Sequence, residues 1–550
     1  MFDFTKAQQE AIETLDRNVS VSAGAGSGKT RVLVERFVNI LRQSLRQGGK
    51  QVSAADILAI TFTRKAAGEM KERVRRRLAE LEQEDALHAS FWQQQLELLE
   101  QARINTIHGF CNSLLKENPV EAGLDPAFQV AEEVEMDEFL LRTVQQFVKQ
   151  GLRRGDSDIL RLADEYTAAD VVKQLLLAIP KMDAILNFGD LLQPYQAKMN
   201  EKNVLQVQLQ ELLLELAEDK MKVKASAHRQ KLELLREHLP ELLKAAADSS
   251  KPENMTLLDS YVGTLAATSS DKAVVKAAKE ILQQLHLLAA DAAALKLIPC
   301  WQQALVNCSA YLREQQELNN MLGFDDLESR ALELLKNNRQ VCSKNSSRYQ
   351  YIMVDEFQDT NERQRELVYL LCGGDKDMLL GHKLFVVGDA KQSIYRFRGA
   401  DVSVFARVRR DIAGAGGSNI VLDDNFRTVD KVLDLCNLAF AALLGEDRQQ
   451  DVYFEALNAN RATDILPEML AIAYDKESKA CRREAEAAVI AERILQLHTE
   501  KQIAYEDMVI LLGALTAAKS FASALQQELG VRVEATLPDS YIGGCVLVHD

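Results

Sequence analysis

The stretch that most constrains this chain is Val19–Thr30, which reads Val-Ser-Val-Ser-Ala-Gly-Ala-Gly-Ser-Gly-Lys-Thr. A β-prone run, Val19 to Val21, leads into a loop of small residues: Ala23, Gly24, Ala25, Gly26, Ser27 and Gly28. A helical pattern follows at once, with Val34, Phe37, Val38 and Leu41 on one face. Strand, small-residue loop and helix in this order form the setting that a phosphate-cradling loop needs. Small residues let backbone N–H groups close on a phosphate, and the helix N-terminus adds its positive dipole end. In such a loop Lys29 reaches the β- and γ-phosphates and the Thr30 hydroxyl ligates Mg²⁺. The strict pattern G-x-x-x-x-G-K-[S/T] wants glycine where this chain has Ala23. The match is therefore relaxed, and a Gly-rich turn before an ordinary helix is the competing reading.

The 550 residues suffice for three or more domains at about 100–200 residues each. A hydrophobic share of 47% and a charged share of 27% are those of a soluble globular protein. Leu, Ala, Gln and Glu abound and proline is scarce, so helix should dominate. The N-terminus shows no apolar signal-peptide core, and the sequence shows no long uncharged apolar run of membrane-spanning type. The eight cysteines are scattered with no C-x-x-C pair, so a zinc or iron–sulfur site is not expected. The net charge of −15 argues against a protein that coats nucleic acid, but leaves room for a local basic track. Arg64 to Arg77 holds seven basic residues against two acids. Such a run reads first as a solvated helix face and second as that track.

Taken in order, Phe4 to Ile12 opens a short helix. Gln8 there is either a solvated helix residue or, with its paired donor and acceptor, a reader of an adenine edge. Ile57–Thr63 is an apolar strand that ends in Thr61-Phe62-Thr63 and enters the basic helix at Arg64. Phe62 is a stacking platform for a base or a core residue. Arg103–Cys111 makes a second strand-to-helix junction, where His108 contacts a phosphate or caps the helix. From about 130 to 320 glycine nearly vanishes and leucine stripes take over, at 205–216 and 232–242. This reads as an all-helical insertion with its loops in 245–275.

Strand character returns at Tyr349–Val354, which delivers Asp355 and Glu356 to its C-terminal end. The pair could cap a helix. Beside a phosphate loop the stronger reading is that Asp355 holds Mg²⁺ and Glu356 polarises the attacking water. A further buried strand, Leu384–Asp389, precedes Lys391-Gln392-Ser393-Ile394-Tyr395-Arg396-Phe397-Arg398. Here Gln392 can sense a γ-phosphate, Tyr395 and Phe397 can stack on bases, and Arg396 and Arg398 add charge. Ile420–Thr428 is read as a strand ending in Arg427, a candidate for stabilising γ-phosphate charge. Met508–Leu512 is read as a buried strand opening a second α/β domain.

These pieces, in this order and spacing, resemble the motifs of superfamily 1 DNA helicases of the UvrD/RecB type. Phe4-Thr5…Gln8 resembles the Q motif. Ala23–Thr30 resembles motif I, where alanine at position 23 is normal for the family. Thr61–Ala67 resembles motif Ia, with Arg64 where asparagine is commoner. Thr106–Cys111 resembles motif Ib, Val354–Thr360 motif II and Val387–Asp401 motif III. Asn425–Thr428 resembles motif IV, with Phe426 for the usual tyrosine. Within the superfamily the resemblance is closest to the AddA branch of ATP-dependent helicase/nucleases. The long separation of motifs I and II, Phe324-Asp325-Asp326-Leu327-Glu328, and Lys391–Arg398 point there.

The resemblance implies an α/β, P-loop (RecA-like) parallel-sheet motor domain with a large all-helical insertion and the start of a second RecA-like domain. The boundaries are 1–125 and 320–425 for motor domain 1A, 126–319 for the insertion 1B, and 426–550 for a truncated 2A. It implies ATP-driven 3′→5′ movement on single-stranded DNA, duplex unwinding and double-strand-break repair with an AddB-like second protein, in a bacterial cytoplasm. Gln8 is then on adenine, and the loop 23–30 and Arg398 are on the nucleotide. Thr30 and Asp355 hold Mg²⁺, while Lys29, Glu356, Gln392 and Arg427 serve catalysis. Phe62, Thr63, Arg64, His108, Tyr395 and Phe397 become DNA contacts. No counterpart of motifs V and VI or of the nuclease is found, so 1–550 is expected to be an N-terminal fragment or truncated product that unwinds poorly alone. The alternatives are a UvrD-like helicase without nuclease and a non-hydrolysing DNA-binding assembly protein.

Overall fold

The computed structural model describes residues 4–47, 52–182, 185, 189–218, 226–249, 251–265, 272–375, 378–445, 447, 450–472, 479–513, 516, 518–529, 533–536 and 544–548. The strands, in chain order, are β1 (Val19–Ala23), β2 (Ile57–Thr61), β3 (Arg103–Thr106), β4 (Gln129–Val130), β5 (Met321–Leu322), β6 (Tyr351–Val354) and β7 (Leu384–Gly388). They continue as β8 (Ser418–Leu422), β9 (Asp424–Val429), β10 (Asn458–Arg461), β11 (Val509–Leu512), β12 (Val533–Thr536) and β13 (Gly544–Val548). The chain forms two compact units, 1–122 with 327–550, and 123–326.

The first unit is built on a six-stranded sheet ordered β3-β2-β6-β7-β1-β8. Every pairing in it is parallel. Parallel strands need crossovers, which cover both faces with helices, so β1, β2 and β7 are buried along their whole length. That explains their runs of apolar and small residues. The helix Lys29–Gln47 supplies Val34, Phe37, Val38 and Leu41 to this core, all almost fully buried. The register sets Ser22 opposite Gly388 and Ala23 opposite Leu422, so the C-terminal ends of β1, β7 and β8 share one edge. On the far side β2 pairs Ile60 with Val354, and the Asp355 N–H donates to the Ile60 carbonyl at 2.8 Å.

Two expectations along this unit are corrected. The strand predicted over Ile420–Thr428 is two strands. β8 ends at Leu422 in the large sheet, and β9, which carries Arg427, pairs with β10 in a sheet of its own. The strand at Met508–Leu512 exists as β11 but is not buried as expected. It lies in a three-stranded antiparallel sheet ordered β11-β13-β12. Ile510 and Leu512 pack on the cluster of Ala487, Ile494, Phe521 and Leu525, whereas Leu511 is 82% exposed. A short apolar run cannot tell a two-faced strand from a one-faced one.

Among its described residues, the second unit forms helices and the short parallel pair β4–β5. The two leucine stripes meet in one core, where Leu209, Leu213 and Leu216 pack with Leu232, Leu235 and Leu242. A second core joins Val144, Val148, Leu162 and Leu175 to Leu305 and Leu312. The helix Lys272–Leu318 is long and apolar enough to cross a membrane by length and composition, yet it supplies buried residues to both cores. Within the predicted loop region 245–275, Pro252–Leu258 is a helix with proline in its first turn, the one helical place where proline sacrifices no hydrogen bond.

Truncating Phe37, fully buried in the parallel-sheet core, to alanine should cost about 3–5 kcal/mol. Leu511→Ala on the exposed strand face should change stability by less than about 0.5 kcal/mol. Urea midpoints read by tryptophan fluorescence would check the contrast.

Candidate active site and strand-binding edge

Ligands of open parallel sheets lie outside the C-terminal ends of the strands. In this chain that edge holds most of the residues singled out from sequence. Ala23 ends β1, and the loop Gly24–Gly28 turns back into the helix that begins at Lys29. Gly26 and Gly28 have φ of +73° and +84°, conformations that a Cβ would strain. The loop is braced from within by the Ser27 hydroxyl, which donates to the Gly24 carbonyl at 2.7 Å. From outside it is held by Asn425, whose side-chain amide donates to the Ala25 carbonyl at 2.7 Å, and by the Phe426 N–H on the Gly26 carbonyl at 3.0 Å. Thr30 is the second residue of the helix and half-buried.

Gln8 is not a solvated helix residue. It closes a capping box with Thr5 and is buried, and its Nε2 donates to the Ser27 carbonyl at 2.9 Å. Its helix, Lys6–Glu13, is pinned to the core by Arg36 and Asn39, which donate to the carbonyls of Ala11 and Ile12 at 2.6 and 3.0 Å. The Arg36 guanidinium also lies 4.1 Å from the Phe385 ring centroid, and burial pulls its pKa down to about 9.

At the end of β6, Asp355 and Glu356 face the loop. Lys29 Nζ pairs with Glu356 Oε2 at 3.0 Å. Glu356 has a left-handed backbone, φ +50° and ψ +45°, unusual for a residue with a side chain and worth about 1–3 kcal/mol of strain. Burial first, and the Glu356 charge second, push the Asp355 carboxyl up to about 6. The same two causes push Asp359 up to about 7. Gln358, which lies in the motif II stretch Val354–Thr360, organises this cluster. Its Nε2 donates to Glu356 Oε2 at 2.9 Å and to Asp359 Oδ2 at 3.2 Å. Its Oε1 accepts the Asp389 N–H at 2.9 Å, and its carbonyl accepts the Ser393 hydroxyl at 3.0 Å.

Gln392 follows β7 in a short helical turn and donates to Asp389 Oδ2 at 2.8 Å. Lys391 pairs with the other oxygen of that carboxylate at 3.1 Å. Arg427 is exposed on β9, and its Cβ lies so close to Gly26 that a Cβ there would approach it to 2.8 Å. Glu455 and Leu457 also reach the loop region, Glu455 through the Ser22 hydroxyl at 3.1 Å and Leu457 against Gly24. No sequence signal marks these two, because they stand more than 400 positions away along the chain. The Arg398 backbone ends a short helical turn, and its side chain lies outside the described residues.

The remaining residues gather beside this centre. Phe62 and Tyr395 have ring centroids 4.5 Å apart, and Tyr395 and Phe397 are 6.0 Å apart. Three rings from two distant segments therefore form one cluster, with Phe397 60% exposed. Thr63 caps the helix Arg64–Glu84, its hydroxyl accepting the Ala66 N–H at 3.0 Å, and Arg64 is exposed at that helix start. Along this helix Lys71, Arg73, Arg75 and Arg77 are paired to glutamates. His108 lies one residue into the helix Ile107–Glu117 and pairs with the buried Glu328 at 3.0 Å.

A phosphate-loop turn and a carboxylate strand end on one parallel sheet make this a P-loop α/β protein. Residues 4–413 match the UvrD/REP helicase N-terminal domain, and the chain belongs to that family. It is 29% identical to the A subunit of the ATP-dependent helicase/nuclease of Levilactobacillus brevis, over 85% of this chain and 40% of that protein. The protein of the same name from Exiguobacterium sibiricum is 28% identical over 92% of this chain and 47% of its own length. That from Staphylococcus aureus is 26% identical over 96% and 48%. The chain thus spans about half the length of the curated relatives it matches.

In the unfolded chain the Asp359 carboxyl titrates near its ordinary value of 3.8, and in the fold near 7. Between these values the folded state keeps a proton that the unfolded chain has lost, so stability falls as pH rises through that window. Asp359→Asn should remove this slope and raise the melting temperature at about pH 7.5 relative to wild type. Melting curves from about pH 4 to 8 would check it.

Proposed function

We propose that this chain is the motor part of an ATP-driven DNA translocase. In this reading it moves 3′→5′ along single strands, unwinds duplex DNA, and serves double-strand-break repair and recombination with an AddB-like partner, in a bacterial cytoplasm. Segments 1–125 and 320–425 form motor domain 1A, 126–319 the insertion 1B, and 426–550 the beginning of 2A. The observation that carries the reading is the meeting of Lys29 with Glu356, 327 positions apart, beside a glycine loop tethered to Gln8. The shared name of the relatives supports a place in a helicase/nuclease complex.

The chemistry follows from the placement of these groups. The loop N–H groups and the helix start receive the phosphates. Lys29 carries a positive charge to them, and a phosphate there competes with Glu356 for the same ammonium. Glu356, released from that pair, is free to accept a proton from the attacking water. Gln358 holds the Glu356 carboxylate in place through its amide. Gln8 reads the base edge, Gln392 and Arg427 respond to the terminal phosphate, and Arg398 belongs to the nucleotide-binding set.

Thr30 and Asp355 offer hard oxygen donors, and the half-buried Asp355 carboxyl sits beside a second acid. That donor set suits Mg²⁺. When bound, the ion would neutralise phosphate charge. Phe62, Tyr395 and Phe397 provide stacking faces for the bases of a single strand, worth about 1–3 kcal/mol per base. Thr63, Arg64 and His108 are the contacts proposed for the strand's backbone.

Single-strand-stimulated ATP hydrolysis tests the reading, measured by phosphate release with and without oligothymidine. Lys29→Ala and Glu356→Gln should each lower the stimulated rate at least about 100-fold, and Glu356→Gln should retain nucleotide binding. DNA binding without hydrolysis under any condition would replace the motor with a DNA-binding assembly role.

A further inference from the structure

The helix Phe324–Asn337 carries one acid where it should not be comfortable. Glu328 is 4% exposed, and a buried carboxylate needs partners. It has three, from two other segments. His108 Nε2 lies 3.0 Å from Oε1, and Gln364 Nε2 donates to the same oxygen at 2.5 Å. Asn361 Nδ2 donates to Oε2 at 3.2 Å. Burial works to raise the Glu328 carboxyl, but the bond and charge of His108, with the two amides, hold it below the ordinary value.

The three partners are not arbitrary. Asn361 and Gln364 form the capping box of the helix Glu362–Leu371, which starts directly after the segment Asp355–Thr360. His108 stands in the first turn of the helix Ile107–Glu117, whose cap is the Thr106 hydroxyl on the Gly109 N–H. The imidazole is about one-third exposed, so part of the ring reaches the surface while Nε2 is held by the carboxylate. A ring held at one edge by a buried acceptor loses little rotamer freedom when its exposed part meets a ligand.

We infer that Glu328 is a positioning residue for single-strand binding: it braces the His108 ring against the cap of Glu362–Leu371 so that the exposed part of the imidazole meets the nucleic-acid backbone. This rests on the motor reading above. Glu328 itself touches no strand. It acts by fixing a side chain that does, and by tying that side chain to the helix that follows the acidic segment.

The test measures the affinity of the full 550-residue chain for a fluorescein-labelled oligothymidine by anisotropy, alongside thermal melting. Glu328→Met removes every acceptor but keeps the volume, and replacing a buried charge by an apolar residue of similar size is often tolerated. Glu328→Gln keeps an acceptor oxygen for His108. Glu328→Met and His108→Ala should each weaken binding about tenfold, and the double variant should be no weaker than His108→Ala alone. Glu328→Gln should restore binding to within about threefold of wild type. A general loss of fold would give neither the rescue nor the non-additivity. Equal affinity of Glu328→Met and wild type overturns the inference, as do additive losses in the double variant or a failure of Glu328→Gln to rescue. Absence of oligothymidine binding by the wild-type chain would instead overturn the motor reading, and the inference with it.

Discussion

The parallel pairing of β1 with β7 on one side and β8 on the other is the constraint on which the rest depends. It brings Ala23, Gly388 and Leu422 to a single edge, although Ala23 lies hundreds of positions from the other two. Parallel strands all point the same way, so whatever follows each strand emerges together. The glycine loop, the Asp389–Gln392 turn and the Asn425–Arg427 segment become neighbours for that reason alone. Each needs only to follow a strand; the sheet does the assembly. The same geometry makes β1, β2 and β7 buried throughout, which is why their sequences lack polar alternation.

Electrostatics at that edge is poised between attraction and repulsion. Asp355, Glu356 and Asp359 crowd within one short segment, and one lysine, Lys29, answers them. Burial raises both aspartates, and the residual repulsion raises them further. The strained backbone of Glu356 belongs to the same balance, since the left-handed turn is held by the Lys29 pair and by Gln358. A site that stores unfavourable charge and strain favours binding of an oppositely charged group, because binding relieves both.

Much of this is legible along the chain. The loop at 19–30 carries its own grammar, because only small residues allow the turn and only a helix can follow it. The strand at 351–354 with its two acids is equally plain. The leucine stripes at 205–216 and 232–242 reveal a helical unit, because a 3.6-residue period is a local property. Gln8 is ambiguous, since a glutamine on a short helix is solvated unless something pins that helix, and Arg36 does so from elsewhere. β11 departs from its expected burial because four apolar residues in a row look alike whether one face or two are covered. Gln358 and Glu328 lie inside motif-like stretches, but nothing local marks them as organisers, and Glu455 and Leu457 carry no signal at all; the roles of all four lie in what they touch.

By itself, then, the sequence determined the elements: a phosphate loop between strand and helix, an acidic strand end, a helical insertion and the order of the motifs. These follow from backbone sterics and hydrophobic periodicity, which act within a few residues. The tertiary structure alone decided that Phe62 meets Tyr395, that Asn425 clamps Ala25, and that Glu328 holds His108 and Asn361 together. Those contacts span tens to hundreds of positions. They exist because burial of one common core makes distant segments share an edge, and no local pattern encodes which side chains will meet there.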